Sequence, residues 1–115
     1  METNGAVVAL EALAQESRLG IFRLLVEAGR NGLPAGEIAG RIGLLAPTLS
    51  FHLAQLKHAG LIACERDGRS LIYSARFDAI NDLVGFMTEN CCGGNAGECA
   101  PARVAPKRKA GRRDP

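Results

Sequence analysis

Apolar residues recur at helical spacing through the first part of the chain. A first helix is predicted from the spacing of Val7, Val8, Leu10 and Leu13. Ser17 is a favourable N-cap residue, and we expect a second helix to begin there and to end at Gly29. The second helix has a broad apolar face that consists of Leu19, Ile21, Phe22, Leu24, Leu25 and Val26.

Two shorter helical patterns follow, and a tight turn joins them. The third helix is predicted from Ile38, Ala39 and Ile42, with Pro34 in its first turn and Gly43 after its end. The fourth is predicted from positions i, i+4 and i+7, which are Leu49, Leu53 and Leu56, and it should end at Gly60. Two short helices separated by residues 43–45 predict a helix-turn-helix.

The pattern changes to that of a hairpin after Gly60. Two runs rich in β-forming residues, Leu61 to Arg66 and Ser70 to Ala75, flank Asp67 and Gly68, a strong hairpin signal. Helical spacing returns from Phe77 to Asn90, with one stripe formed by Ile80, Leu83, Val84 and Met87. The order of elements predicts a mostly α fold with a β-hairpin wing, that is, a winged helix-turn-helix.

Size and composition define the domain organisation. The chain has 115 residues, and a domain of this size gains stability from pairing, so we expect a homodimer. Residues 1–92 are predicted to form one DNA-binding and dimerisation domain. Residues 93–115 lack apolar periodicity and are predicted to be a flexible tail that carries Cys99 and a basic end. The first 90 residues hold eight basic against ten acidic side chains, so the formal charge of +2 comes from the tail.

No segment of the sequence indicates secretion or membrane insertion. The N-terminal stretch lacks a basic region and carries Glu11 and Glu16 among its apolar residues. No apolar run approaches the roughly 20 residues that span a bilayer. We therefore expect a cytoplasmic protein without a membrane partner.

The fourth helix is predicted to have one dry face and one face that reads DNA. With about 100° per residue, Leu53 and Leu56 fall within about 40° of Leu49, whereas Phe51 points to the opposite side. The outward residues offer hydroxyl, amide and aromatic groups that suit base edges and thymine methyls in the major groove of double-stranded DNA. Arg66 and Arg69 bracket the wing tip and could reach phosphates. The candidate DNA contacts are Pro47, Thr48, Ser50, Phe51, His52, Gln55, Arg66 and Arg69.

Two of these residues have an alternative interpretation. Phe51 could instead pack against the third helix. His52 lies about 60° from the centre of the dry face, where a partly buried hydrogen-bonding role is the alternative to DNA contact.

Three cysteines close to the end of the last helix are the candidate chemical site. Cys91 and Cys92 are adjacent, and the spacer GGNAGE, whose glycines can take positive φ, separates them from Cys99. Thiols stay reduced in the cytosol, so these residues indicate metal binding or redox chemistry rather than a structural disulfide. Cys91 follows Ile80 by eleven residues, so on a continuous helix it would extend the apolar stripe. Cys64, on the first wing strand, is interpreted as an inert, partly buried residue.

Several ligands and reactions remain open for this cluster. As(III) and Sb(III) are soft trivalent ions that favour three thiolate ligands, and the three cysteines supply such soft ligands. Zinc or cadmium sensing is less favoured because zinc prefers four ligands and no histidine lies in the cluster. Thiol-redox or persulfide sensing is a further alternative, since a disulfide between Cys92 and Cys99 is feasible.

Catalysis is not indicated by the sequence. The residues six positions beyond Cys91, Cys92 and Cys99 are not arginine, as a phosphatase-like arsenate reductase would require. The glycines also lack the Gly-Lys-Ser/Thr of a phosphate-binding loop, and no organic cofactor is expected.

Two stretches, LEALAQESRLGIFRLL (residues 10–25) and LSFHLAQLKHAGLIACERDGRSLIY (residues 49–73), resemble the ArsR/SmtB family of winged-helix repressors. The resemblance covers about residues 8–90. It implies a homodimer built on the first and last helices that binds an operator and is released by an inducer. The residues expected at that dimer interface are Val7, Leu10, Ile80, Leu83, Val84 and Met87.

The resemblance also narrows the choice of inducer. The third helix has no cysteine, the last helix has no histidine, and the N-terminal region has no cysteine, so three sensor arrangements of the family are absent. Cys91, Cys92 and Cys99 are similar to the thiols of arsenic-responsive members that lie just past the last helix. The resemblance therefore implies release by As(III) or Sb(III).

Overall fold

The computed structural model of the protein describes residues 1–94. Five helices and a three-stranded sheet make up the fold, in the order α1 (Thr3–Leu13), α2 (Glu16–Ala28), β1 (Leu33–Pro34), α3 (Ala35–Ile42), α4 (Ala46–His58), β2 (Ile62–Asp67), β3 (Ser70–Ala75) and α5 (Phe77–Met87). A short 3₁₀ helix, Cys91–Gly94, follows. The winged helix-turn-helix predicted from the sequence is confirmed. Cys99 and the rest of the predicted tail lie outside the described residues.

The start of α2 differs from the prediction. Helix α2 begins at Glu16, one residue before Ser17, and its N-cap is Gln15. The side-chain oxygen of Gln15 accepts a hydrogen bond from the backbone N–H of Arg18 at 2.9 Å. A glutamine therefore satisfies one of the free N–H groups of the first turn, which is the role that Ser17 was expected to have.

A short strand occupies the place where Pro34 was expected to open a helix. Leu33 pairs with Tyr73 and Pro34 with Ile72, so β1 is the antiparallel edge strand of a sheet with the order β1-β3-β2. An edge position tolerates proline because no neighbouring strand needs its missing N–H. Pro34 is then the N-cap of α3, with extended φ and ψ of −71° and 153°.

The core lies where α2, α3, α4 and the base of the wing meet. Its largest fully buried side chains are Ile21, Leu25, Ile38, Leu56, Leu61 and Ile62. The buried residues of helix α1 are all alanines, namely Ala6, Ala9 and Ala12. Because alanine is small, α1 lies close to the core and leaves its larger apolar side chains, including Val7 and Leu10, on the opposite side.

Helix α5 divides the apolar stripe between two surroundings. Leu83 is 3% exposed and belongs to the core of its own protomer, so it is not available to a partner as the sequence suggested. Ile80 is partly buried against the same core. Val84 and Met87 are 51% and 58% exposed. Among residues 1–94, no helix has the length and apolar character needed to cross a membrane.

Candidate DNA-binding surface and cysteine turn

The turn between α3 and α4 positions the predicted reading helix. Gly43 adopts the left-handed conformation, with φ 82° and ψ 38°, and its N–H donates to the carbonyl of Ala39 at 2.8 Å. Helix α4 then begins at Ala46, with Pro47 in its first turn where no intrahelical N–H bond is required. The three leucines predicted for the dry face, Leu49, Leu53 and Leu56, are at most 2% exposed.

The outward side of α4 is open to solvent. Its exposed residues are Pro47, Thr48, Ser50, Phe51 and Gln55, all of them candidates from the sequence. Phe51 is 57% exposed and therefore does not pack into the groove against α3. Its ring meets the ring of His52 edge-on, with a centroid separation of 5.5 Å and an interplanar angle of 63°. A large exposed aromatic on this face is available to contact DNA.

His52 points toward α2 instead of joining the open face. Its Nδ1 lies 3.3 Å from Nη1 of Arg18, and the side chain is partly buried. The Nε of Arg18 also donates to the carbonyl of Ala12 at 2.7 Å. The alternative given above for His52, a hydrogen-bonding role, therefore describes its place in the protomer better than a base contact. Sequence reasoning missed Arg18, because the spacing of the two arginines in α2 does not reveal which of them meets another helix.

The wing presents its basic residues at the tip. Strands β2 and β3 pair in regular antiparallel register from Ile62 with Ala75 to Asp67 with Ser70. Gly68 takes the positive φ of 64° that the two-residue turn needs. Arg66 and Arg69 are exposed, and neither forms a salt bridge within residues 1–94. Their guanidinium groups are thus available to phosphate oxygens.

Cys64 lies at the middle of the wing, away from its tip. It is partly buried and faces Tyr73 across the β2–β3 pair. Burial raises the pKa of the Tyr73 hydroxyl, and a side-chain hydrogen bond with Cys64 raises it further. Cys64 therefore has a local packing and hydrogen-bonding environment of its own.

The backbone leaves the right-handed helical conformation between the end of α5 and the first two cysteines. Helix α5 ends at Met87, and the hydroxyl of Thr88 donates back to the carbonyl of Val84 at 2.8 Å. Asn90 and Cys92 have positive φ values of 57° and 56°. Such values are uncommon for residues other than glycine, so this is a specific turn and not a frayed helix. The helix phase that would have placed Cys91 on the apolar stripe is broken four residues earlier.

This segment, which we call the cysteine turn (residues 88–94), brings two thiol residues together. Cys91 is partly buried and Cys92 is exposed, and Gly93 and Gly94 continue with positive φ. Within the described part of the chain, no group of three or more His, Cys, Asp or Glu residues is arranged to hold a metal ion. The third candidate ligand, Cys99, lies outside those residues.

Comparison with known proteins gives the family. A family model described as a helix-turn-helix domain matches residues 13–65. The HTH-type transcriptional regulator YgaV of Escherichia coli (strain K12) is 33% identical over 87 residues, which cover 76% of this chain and 86% of that protein. The transcriptional activator HlyU of Vibrio cholerae serotype O1 is 32% identical over 97 residues, covering 83% and 87% of the two chains.

Solved structures share the fold. An ArsR-like transcriptional regulator from Rhodococcus sp. RHA1 superposes with a TM-score of 0.69 at 22% identity, over 91% of this chain and 96% of that one. Reduced HlyU from Vibrio cholerae N16961 gives a TM-score of 0.61 at 30% identity, over 78% and 92%. The named relatives are regulators and not enzymes. Because YgaV and HlyU match it at 33% and 32% identity over more than two thirds of its length, the chain belongs to the ArsR family of winged helix-turn-helix transcriptional regulators.

Proposed function

We propose that the protein is a homodimeric, metalloid-responsive repressor that leaves its operator when As(III) or Sb(III) binds Cys91, Cys92 and Cys99. The observation that carries the proposal is the cysteine turn. Two adjacent thiol residues follow directly on α5, the helix whose exposed apolar residues are offered to a second copy. Binding to DNA would place the protein in the cytoplasm, without a membrane partner.

The open face of α4 supports recognition of double-stranded DNA. In a helix-turn-helix dimer, the two reading helices enter successive major grooves about one turn of DNA apart. The exposed hydroxyl, amide and aromatic groups of α4 would then contact base edges, and the wing arginines would contact the backbone. Phosphate contacts hold the register, and α4 supplies the selectivity.

The exposed apolar side chains of α1 and α5 support dimerisation. Val7 and Leu10 of α1 are 46% and 44% exposed, and Val84 and Met87 of α5 are more than half exposed. Soluble monomers seldom keep several large apolar side chains in water on neighbouring helices. A second copy related by a twofold axis would cover the same patch on both protomers.

The chemistry of the cysteine turn supports a soft trivalent effector. Thiolate is the softest side-chain ligand, and three of them balance the charge of a trivalent ion. Six residues separate Cys92 from Cys99, and a chain of that length can span about 20 Å, which is ample for a return to the turn. Zinc or cadmium is less well served because zinc prefers four ligands and the cluster holds three thiols and no histidine.

Coupling to DNA follows from the position of the turn at the end of α5. Any ligand that draws Cys91 and Cys92 toward Cys99 acts on the residues that follow the end of α5, the proposed dimerisation helix. A shift of α5 changes the relation between the two protomers, and hence the spacing of the two copies of α4. Affinity for an operator of fixed spacing then falls.

The experiment uses the full-length protein and a duplex that it selects from a random library. Fluorescence anisotropy measures operator affinity with the protein reduced by a phosphine, because dithiol reductants bind arsenite themselves. Arsenite should release the wild type and Cys64→Ser, the matched control. Cys91→Ser, Cys92→Ser and Cys99→Ser should bind the operator normally and stay bound. Release of all three variants by arsenite would refute the proposed site.

A thiol-redox or persulfide sensor is the second candidate. The observation that favours it is the similarity to the structure described as reduced HlyU, together with the two thiols of the cysteine turn. Here the step would be loss of two electrons and two protons from Cys92 and Cys99 to a peroxide, giving a disulfide and water. Release by hydrogen peroxide, together with no release by arsenite under full reduction, would replace the first proposal with this one.

A further inference from the structure

We propose that Arg18 is a positioning residue that ties the recognition helix α4 to the end of the dimerisation helix α1. It acts through His52 and makes no DNA contact of its own. The inference rests on the proposed function in taking α4 as the DNA-reading helix and α1 as part of the dimer interface, and it is independent of the identity of the effector.

The first contact joins α2 to α1. The Nε of Arg18 donates to the carbonyl of Ala12 at 2.7 Å, and Ala12 lies in the last turn of α1. The last four carbonyls of a helix have no partner within the helix, so this bond satisfies a group that would otherwise need water. A cation is also favourable at the negative end of the helix dipole. Arg18 therefore holds the last turn of α1 against the first turn of α2.

The second contact joins α2 to α4. Nη1 of Arg18 lies 3.3 Å from Nδ1 of His52, a residue 34 positions further along the chain. Arginine has only donors, so His52 must accept at Nδ1. This assigns the neutral tautomer that carries its proton on Nε2. The His52 ring then meets the ring of Phe51, whose side chain is exposed on the reading face.

The surroundings of Arg18 indicate that its side chain is held in place by its hydrogen bonds and not by neutralisation of its charge. Within residues 1–94, Arg18 forms no salt bridge. It occupies the first turn of α2, where the helix dipole disfavours a cation. Arg18 lines a groove of about 270 Å³ between α1 and α4, together with Ala12 and Gln55. Its contacts with Ala12 and His52 link α1 to α4 beside this groove, and a displacement of α1 is passed to α4 through them.

A double-mutant cycle on operator affinity tests the inference in the full-length protein without effector. Arg18→Met keeps the aliphatic stem and removes every donor, whereas His52→Leu removes the acceptor. Each should weaken operator binding about tenfold, and the double variant should be no weaker than either single variant. Arg23→Met, which removes the same charge from an exposed position of α2, should bind within twofold of the wild type.

Two further readouts separate positioning from a general loss of structure. His52→Asn retains an acceptor close to the position of Nδ1 and should restore binding to within about threefold of wild type. A long-range ¹H–¹⁵N NMR spectrum of the ring should show the Nε2-protonated tautomer in the wild type and a mixture of tautomers in Arg18→Met.

Additive effects of the two substitutions, or wild-type affinity of His52→Leu, would overturn the inference. If Arg18→Met fails to fold, the comparison of His52→Asn with His52→Leu decides the matter alone. Equal loss of affinity in these two variants would then count against positioning. Failure of the wild type to select any duplex would instead contradict the proposed function, so the two failures are distinguishable.

Discussion

Leu83 and Val84 are consecutive residues of α5 with opposite surroundings: Leu83 is 3% exposed inside the protomer, whereas Val84 is 51% exposed beside Met87. One helix therefore has a buried side and an open side. Its inner side holds α5 on the winged domain, and its outer side is the surface that we propose meets a second copy. Substitutions on that outer side can test the proposed dimer without disturbing the fold.

Val84→Glu is expected to weaken the dimer at least tenfold, because burial of an unpaired carboxylate between protomers is costly. The midpoint of urea-induced unfolding, measured at high protein concentration, should fall, while the far-ultraviolet circular dichroism spectrum stays unchanged. Sedimentation equilibrium measures the dimer constant. Asp82→Asn changes a charge on the opposite side of α5 and serves as the control. A dimer of wild-type strength in Val84→Glu would contradict this assignment of the interface.

Phe51→Ala is expected to lower affinity for the selected operator about tenfold and to leave unselected DNA nearly unaffected. The ring is 57% exposed, so its loss should change the free energy of unfolding by less than about 0.5 kcal/mol. Anisotropy titrations with both duplexes measure the difference. Val26→Ala, which shortens another exposed apolar side chain on α2, should leave both affinities as they are. Equal losses on the two duplexes would show that Phe51 carries no selectivity.

Arg66→Ala and Arg69→Ala are expected to weaken binding to all duplexes alike, because phosphate contacts carry no sequence information. Each substitution should reduce the slope of log affinity against log salt by about 1. Titrations at four salt concentrations give the slopes. Arg30→Ala, at an exposed position beside the base of the wing, is the control for a lost positive charge. An unchanged slope in both wing variants would remove the wing from the DNA interface.

Gly32→Ala is expected to destabilise the fold by about 2 kcal/mol or more. The residue has φ +70°, and an added Cβ would lie 2.2 Å from the carbonyl oxygen of Tyr73, so β1 would have to move off β3. Urea denaturation measures the change in the free energy of unfolding. Gly36→Ala is the matched control, since nothing lies within 4 Å of its added Cβ and α3 is helical there. That variant should be stabilised by up to about 1 kcal/mol.

Local patterns in the sequence predicted most of the fold. The leucines of α4 fall on one face because a helix repeats every 3.6 residues, and all three are buried as expected. The sequence pair Asp67 and Gly68 predicted the hairpin; the two turn residues are Gly68 and Arg69, and Gly68 takes the positive φ that such a turn requires. The exposure of the outward residues of α4 follows from the same periodicity. Their contact with DNA stays a prediction, as does the role of the three cysteines.

Other features depend on contacts between distant parts of the chain. Strand β1 has two residues, too few for a periodic pattern, and it exists because Leu33 and Pro34 pair with β3 about 40 residues later. Periodicity placed Leu83 and Val84 on one stripe, but the packing of α5 against the protomer decided which of them is buried. The phase of α5 also could not be extended to Cys91, since the left-handed turn intervenes.

By itself, the sequence determined the order of the elements, the dry side of α4 and the hairpin turn, because each depends on backbone preferences and side-chain spacing within a few residues. Tertiary structure decided the direction of His52, which turns to Arg18 of another helix. It also decided which apolar side chains of α1 and α5 remain outside the protomer. Both outcomes depend on which helix surfaces are buried in the core, and that is a property of the whole packed domain.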